Sequence, residues 1–133
     1  MKHICKMTVQ EIHLDSFGHM NNATYLQILE QARWDMITER GFGLKDIHHH
    51  KKGPVILEVN VKFLKELKLR EPIEIHTFPE KMVSKIAKLR QEIRNSNNQL
   101  ACEAFFTVGF FDLVDRKLIS PIPEWNHALG FEP

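Results

Sequence analysis

The sequence predicts an α+β fold in which one long helix lies against an antiparallel sheet. Three observations predict it: apolar residues alternate near the N-terminus, one long helical stripe follows, and four further alternating segments are then joined by short turns. Consecutive strands joined by short turns pair as hairpins, which makes the sheet antiparallel.

The first strand covers residues 4 to 13, where Cys5, Met7 and Val9 alternate with Lys6, Thr8 and Gln10. Asp15-Ser16-Phe17-Gly18 has the composition of a turn. From Asn22 the period becomes helical. Tyr25, Leu29, Ala32 and Met36 form one stripe, Leu26, Arg33 and Ile37 run beside it, and Ile28 widens the apolar arc. That breadth predicts a helix covered on most sides. Gly41 suits the left-handed position after a helix and predicts an end near Arg40.

Residues 42 to 54 read as a loop that includes His48-His49-His50. Val55, Leu57, Val59, Val61 and Phe63 then alternate with Glu58, Asn60 and Lys62, the clearest strand of the chain. Ile73, Ile75 and Thr77 make the next strand, after Pro72. Ala87, Leu89, Gln91 and Ile93, alternating with Lys88, Arg90, Glu92 and Arg94, make another. Asn95-Ser96-Asn97-Asn98 is a turn by composition. Residues 100 to 113 are apolar on both faces, which predicts a central strand or a subunit contact. A turn at Asp115-Arg116-Lys117 and the stretch Ser120-Pro121-Ile122-Pro123 lead to a short helix from about Glu124 to Leu129. With no repeat, linker or low-complexity segment, residues 1–133 read as a single domain.

Composition excludes several function classes. The 133 residues are 43% hydrophobic and 26% charged, with 18 basic residues against 17 acidic ones and a formal net charge of +1. That balance gives no basic face for nucleic acid. No apolar run approaches the ~20 residues needed to cross a bilayer, and Met1-Lys2-His3-Ile4-Cys5-Lys6 is too polar for a signal peptide. Cys5 and Cys102 have no metal-ligand spacing and read as free thiols in a reducing compartment, hence a cytoplasmic protein.

The chemistry concentrates in residues 15 to 25. An acid (Asp15), a turn glycine (Gly18), a histidine (His19) and two cap-forming asparagines (Asn21, Asn22) come just before the long helix. A helix start offers unpaired N–H groups and partial positive charge, which favour an oxygen that is gaining negative charge. A thioester carbonyl under attack develops such an oxygen.

The run Asp15-Ser16-Phe17-Gly18-His19-Met20-Asn21-Asn22-x-x-Tyr25-Leu26, followed by Glu30-x-Ala32-Arg33, resembles the hotdog-fold acyl-CoA thioesterases of the 4-hydroxybenzoyl-CoA thioesterase type. Weaker likeness continues through Val59-x-Val61-x-Phe63 and Arg116-Lys117-x-x-x-Pro121-Ile122-Pro123. The resemblance implies a single hotdog domain, a five-stranded antiparallel sheet wrapped around a long central helix, assembled as a homodimer or homotetramer. It implies that Asp15 is the catalytic carboxylate and that the backbone N–H near Asn22 polarises the thioester carbonyl. The block is also similar to plant acyl-carrier-protein thioesterases, which carry an asparagine where this chain has Phe17. Many relatives carry a second acid where this chain has His13.

The expected catalytic residues are therefore Asp15, His19 and Asn22, with Gly18, Asn21 and Tyr25 on the substrate side. Asp15 acts as nucleophile or as general base. His19 positions water or the acid, or else closes the turn. Asn21 and Asn22 are N-caps as well as site residues, and Tyr25 is equally a core residue. Glu30 is expected to be buried in an ion pair with Arg33 or Arg40, with a catalytic role as the lesser reading, and Glu58 to be solvated unless a second subunit buries it. The three adjacent histidines are poorly spaced for a metal. Lys81, Lys85, Lys88 and Arg90 read as an ordinary charged strand face, with contact to the phosphates of CoA as the alternative.

The expected function is hydrolysis of acyl-CoA to a free acid and CoA, with no metal or bound cofactor, and with no nucleic-acid or membrane partner. The acyl pocket is expected between helix 22–40 of one subunit and the sheet of its neighbour. The alternatives are an acyl-CoA-binding module without turnover, which would lack the usual DNA-binding segment before residue 4, and a thioesterase acting on acyl carrier protein.

Overall fold

The structure is a computed structural model that describes residues 1–131. Strands β1 (His3–Thr8), β2 (Lys52–Phe63), β3 (Pro72–Val83), β4 (Ile86–Arg94) and β5 (Leu100–Asp112) form an antiparallel sheet in the order β1-β3-β4-β5-β2. A short β6 (Lys117–Ile119) pairs with residues Phe110 to Asp112 of β5, beyond the point where β4 ends opposite Gly109. The sequence read that segment as turn and lead-in only.

Helix α1 (Asn22–Glu39) lies on one face of the sheet. Its Tyr25, Ile28, Leu29, Ala32, Met36 and Ile37 are buried against the alternate residues Ile75 of β3, Leu89 and Ile93 of β4, and Phe106 and Val108 of β5. Burying each leucine, isoleucine or methionine of this set contributes ~1.5–3 kcal/mol, so this face holds the helix in place. The helix ends where expected, with Gly41 at φ +92°. It is not covered on most sides, however. Leu26, Gln27, Glu30 and Gln31 are exposed, because the sheet reaches only one flank.

Three segments depart from the sequence expectation. The first strand stops at Thr8 and is followed by a 3-10 turn over Glu11–His13. The predicted loop 42–54 contains helix α2 (Leu44–His50), whose N-cap N–H on Gly43 donates to Asp46 at 3.1 Å. Helix α3 (Pro123–Ala128) starts one residue early, with proline in its first turn, where a missing N–H costs nothing. As expected, β5 is an inner strand, between β4 and β2. β2 forms the edge beyond it.

Candidate active site at the start of the long helix

The Asp15 turn is built into a tight hairpin. The Asp15 N–H donates to the His19 carbonyl at 3.1 Å, the Gly18 N–H donates to the Asp15 carbonyl at 3.0 Å, and a Leu14–Met20 bridge closes the base. Gly18 sits at φ +85°, a conformation that side chains resist, which accounts for glycine there. The Asp15 side chain accepts the Phe17 N–H through Oδ1 at 2.9 Å. This bond turns the carboxylate back over its own loop and leaves Oδ2 without a partner among the described residues.

Two residues beyond the hairpin, α1 begins. Asn21 is its N-cap and accepts the Ala23 N–H through Oδ1 at 2.8 Å. Asn22 Oδ1 shares that donor at 3.0 Å. The Thr24 and Tyr25 N–H groups reach the Asn21 carbonyl at 3.0 and 3.3 Å. Among the described residues the Asn22 N–H has no acceptor. The first turn also holds no acidic residue, so no carboxylate of the helix itself offsets its positive end.

His19, Met20, Asn22, Tyr25, Phe63, Leu64, Lys65 and Glu66 line one groove at this helix start. Tyr25 is buried and meets the Phe63 ring edge-on, with centroids 4.9 Å apart. Burial pushes its hydroxyl up to about 12, with the charges of Cys102, Glu66 and Glu71 adding to the rise. The His19 ring is exposed and stacks on Phe17 at 6.2 Å; its link to Asp15 runs through the backbone only. The structure thus brings His19, Asn22 and Tyr25 into one groove. Asp15, Gly18 and Asn21 stand beside it, on the hairpin and the cap.

Lys65 and Glu66 were not singled out in the sequence. They follow the clearest strand, β2, whose Phe63 packs on Tyr25, and the Lys65 N–H donates to the Ala101 carbonyl at 3.0 Å. Glu66 supplies a carboxylate that lines the groove.

Other expectations resolve plainly. Glu30 is exposed, not buried, and acts on Arg33 as a nearby charge. Glu58 is exposed and accepts the Thr107 hydroxyl at 3.4 Å. Arg90 is held by Glu80 at 2.7 Å and by Glu92, and lies 3.9 Å over the Phe78 ring, so its guanidinium is already engaged. Among the described residues no three His, Cys, Asp or Glu side chains converge to hold a metal, and no helix is long and apolar enough to cross a membrane. Both cysteines are free.

The family model of the thioesterase-like superfamily matches residues 9–128. The long-chain acyl-CoA thioesterase FadM of Escherichia coli strain K12 is 28% identical over 116 residues, which cover 86% of this chain and 87% of FadM. A DHNA-CoA thioesterase from Staphylococcus aureus superposes with a TM-score of 0.85 at 22% identity, covering 96% of this chain and 87% of the other. A second Staphylococcus aureus protein, solved in complex with CoA, superposes at 0.90 with 17% identity, covering 97% and 82%. These superpositions show the hotdog architecture.

Proposed function

The chain belongs to the thioesterase-like superfamily, and from that premise we propose that it hydrolyses acyl-CoA to a free acid and CoA at the start of α1. The observation that carries this reading is the Asn22 N–H, a first-turn donor with no acceptor among the described residues, opening on a groove beside a carboxylate hairpin. A thioester oxygen placed there gains negative charge in the transition state, where the N–H and the helix dipole stabilise it most. The likeness to FadM supports CoA as the thiol carrier.

Asp15 is the carboxylate that acts on the acyl carbon. As a nucleophile it forms a mixed anhydride, CoA leaves as the thiolate, and water then cleaves the anhydride. As a general base it takes a proton from water, whose oxygen attacks the same carbon. The Phe17 N–H fixes Oδ1 in either case, which leaves Oδ2 to act. His19, at the groove wall, holds the water. Gly18 and Asn21 shape the hairpin and the cap that set these groups, and Tyr25 forms the floor.

The edge strand supports assembly. Along β2, Leu57 is 46% exposed, Val59 40% and Phe63 51%, and an apolar edge of this kind is normally covered. A second copy docked on β2 covers it and roofs the groove. The sequence placed the acyl pocket between the helix and a neighbour's sheet. Here α1 and its own β2 both contribute walls, and the neighbour would supply the outer one.

A second reading keeps the groove and exchanges the acid, because Glu66 lines it and Asp15 does not. The experiment for the function itself is thiol release across short, long and aromatic acyl-CoAs and an acyl carrier protein conjugate. Release from one or more acyl-CoAs is expected. Tight binding of acyl-CoA without release would instead mark a non-catalytic module, and release only from the protein conjugate would mark a different carrier.

A further inference from the structure

Arg33 is a sheet-facing cation with an incomplete set of partners. It donates through Nη1 to Gln91 Oε1 at 2.9 Å and lies 4.1 Å over the Phe106 ring. Gln91 is fully buried and gives its own N–H groups to the Leu29 carbonyl and the Thr77 hydroxyl, both at 3.0 Å, which fixes its oxygen toward Arg33. A guanidinium carries five N–H donors. This is the single hydrogen bond that Arg33 makes among the described residues, and no carboxylate there lies within 4.0 Å of it. Burial lowers its affinity for its proton to about 10, still charged at neutral pH.

Those spare donors border a cavity of about 120 Å³ that Trp34, Ile37, Ile56, Leu89 and Trp125 make otherwise apolar, with Glu30 also on its wall. Apolar cavities of ~150 Å³ take a benzene-sized group. The cavity and the groove at Asn22 share no lining residue, but both lie where α1 faces β2, so a strip along these two elements separates them. At one end Tyr25 meets Phe63, and at the other Arg33 and Ile37 face Pro54 and Ile56. Between these ends Leu26 of α1 and Val59 of β2 are each 40% exposed and apolar. Asn22 and Arg33 are eleven residues apart on the helix, or ~16 Å at 1.5 Å per residue. An extended chain advances ~1.2 Å per bond, so ~13 bonds span that distance.

We propose, resting on the thioesterase reading above, that the acyl chain runs along this strip from the groove to the cavity and that Arg33 donates to an oxygen near the chain's far end. The preferred substrates are then acyl-CoAs of about twelve to fourteen carbons that carry a hydroxyl or oxo group near the distal end. A neutral oxygen suits the site better than a carboxylate, because the Glu30 carboxylate also stands on the cavity wall and would repel a second negative charge. An unoxygenated chain leaves the guanidinium facing hydrocarbon, and a site built to hydrogen-bond a substrate oxygen discriminates against the analogue that lacks it.

The test compares kcat/KM for ω-hydroxydodecanoyl-CoA and dodecanoyl-CoA in the wild type, in Arg33→Met, and in Gln91→Glu, which ties Arg33 to a new carboxylate. The expected wild-type ratio is about tenfold or more in favour of the hydroxylated chain, falling to near one in both variants. Because it is a ratio within one protein, partial unfolding does not imitate it. A wild-type ratio near one, or a ratio that survives Arg33→Met, overturns the proposal. So does Arg33→Met breaking an oligomer while the ratio stands, since Arg33 then serves a second copy. Calorimetric binding of free ω-hydroxydodecanoate against dodecanoate separates the two layers. If no acyl-CoA is cleaved and the hydroxy acid still binds about tenfold tighter through Arg33, the proposed function falls and this inference stands. Cleavage with no preference leaves the function standing and removes the inference.

Discussion

The side-chain oxygen of Asn21 accepts the Ala23 N–H at 2.8 Å, a donor that Asn22 Oδ1 shares at 3.0 Å, and this capping separates the satisfied donor of α1 from the open N–H of Asn22. It sets the direction in which the helix start points and therefore where a substrate oxygen is received.

Replacing Asn21 by Ala removes that cap and is expected to cost about 1 kcal/mol of stability in urea unfolding. Asn21→Asp keeps an acceptor and keeps the stability. It sets a negative charge beside the developing oxyanion, however, so kcat is expected to fall about tenfold or more. Stability and turnover thus separate in the two variants. A fall in kcat confined to Asn21→Ala would mean that the cap acts through folding alone.

Gln91 joins Arg33, Leu29 and Thr77, which makes it the hub of the buried polar network. Gln91→Leu deprives the Arg33 guanidinium of its acceptor and the Leu29 carbonyl and Thr77 hydroxyl of a donor. The expected loss is about 3 kcal/mol, read as a lower urea midpoint at unchanged m-value. A loss below about 0.5 kcal/mol would show that water replaces Gln91 freely.

Three weak acids favour their neutral forms in the fold. Burial raises Cys5 to about 11, with Asp35 adding to it. Burial, with a contribution from Glu103, raises Cys102 to about 12, and Tyr25 also stands at about 12. The unfolded chain loses these protons first, near 9.0 for the thiols and 10.0 for the phenol. Their contribution is therefore complete below those values and is lost as pH rises toward 11 or 12. Urea unfolding at successive pH steps from neutral into this alkaline range is expected to show falling stability. Cys102→Ala and Tyr25→Phe should flatten the slope.

The α+β class, the helix ends and four strands are legible in the sequence because alternation and a 3.6-residue period report directly on burial. Helix α2 is not, since Leu44–His50 offers only Leu44 and Ile47 as an apolar pair, too little for a period. The exposed flank of α1 is also hidden, because an apolar arc does not say whether a sheet or a second copy covers it. In the site, Asn21, Asn22 and Gly18 are readable from local turn and cap chemistry. Glu66 and Lys65 are not, because the Tyr25–Phe63 contact in their groove spans 38 residues of chain.

Assembly through β2 predicts that the protein sediments as a dimer or a larger even oligomer. Leu57→Lys sets a charge on the exposed apolar edge and is expected to shift sedimentation toward the monomer, with loss of thiol release. A wild-type monomer that retains full turnover would remove the second copy from the site.

The most direct measurement is CoA release from a turned-over acyl-CoA by the wild type, Asp15→Asn and Glu66→Gln, with circular dichroism to confirm the fold of each. Asp15→Asn is expected to lose at least about a hundredfold in kcat, while Glu66→Gln stays within a few-fold of the wild type. Undiminished release by Asp15→Asn, with the loss falling on Glu66→Gln instead, would contradict the account and move the chemistry to the other carboxylate.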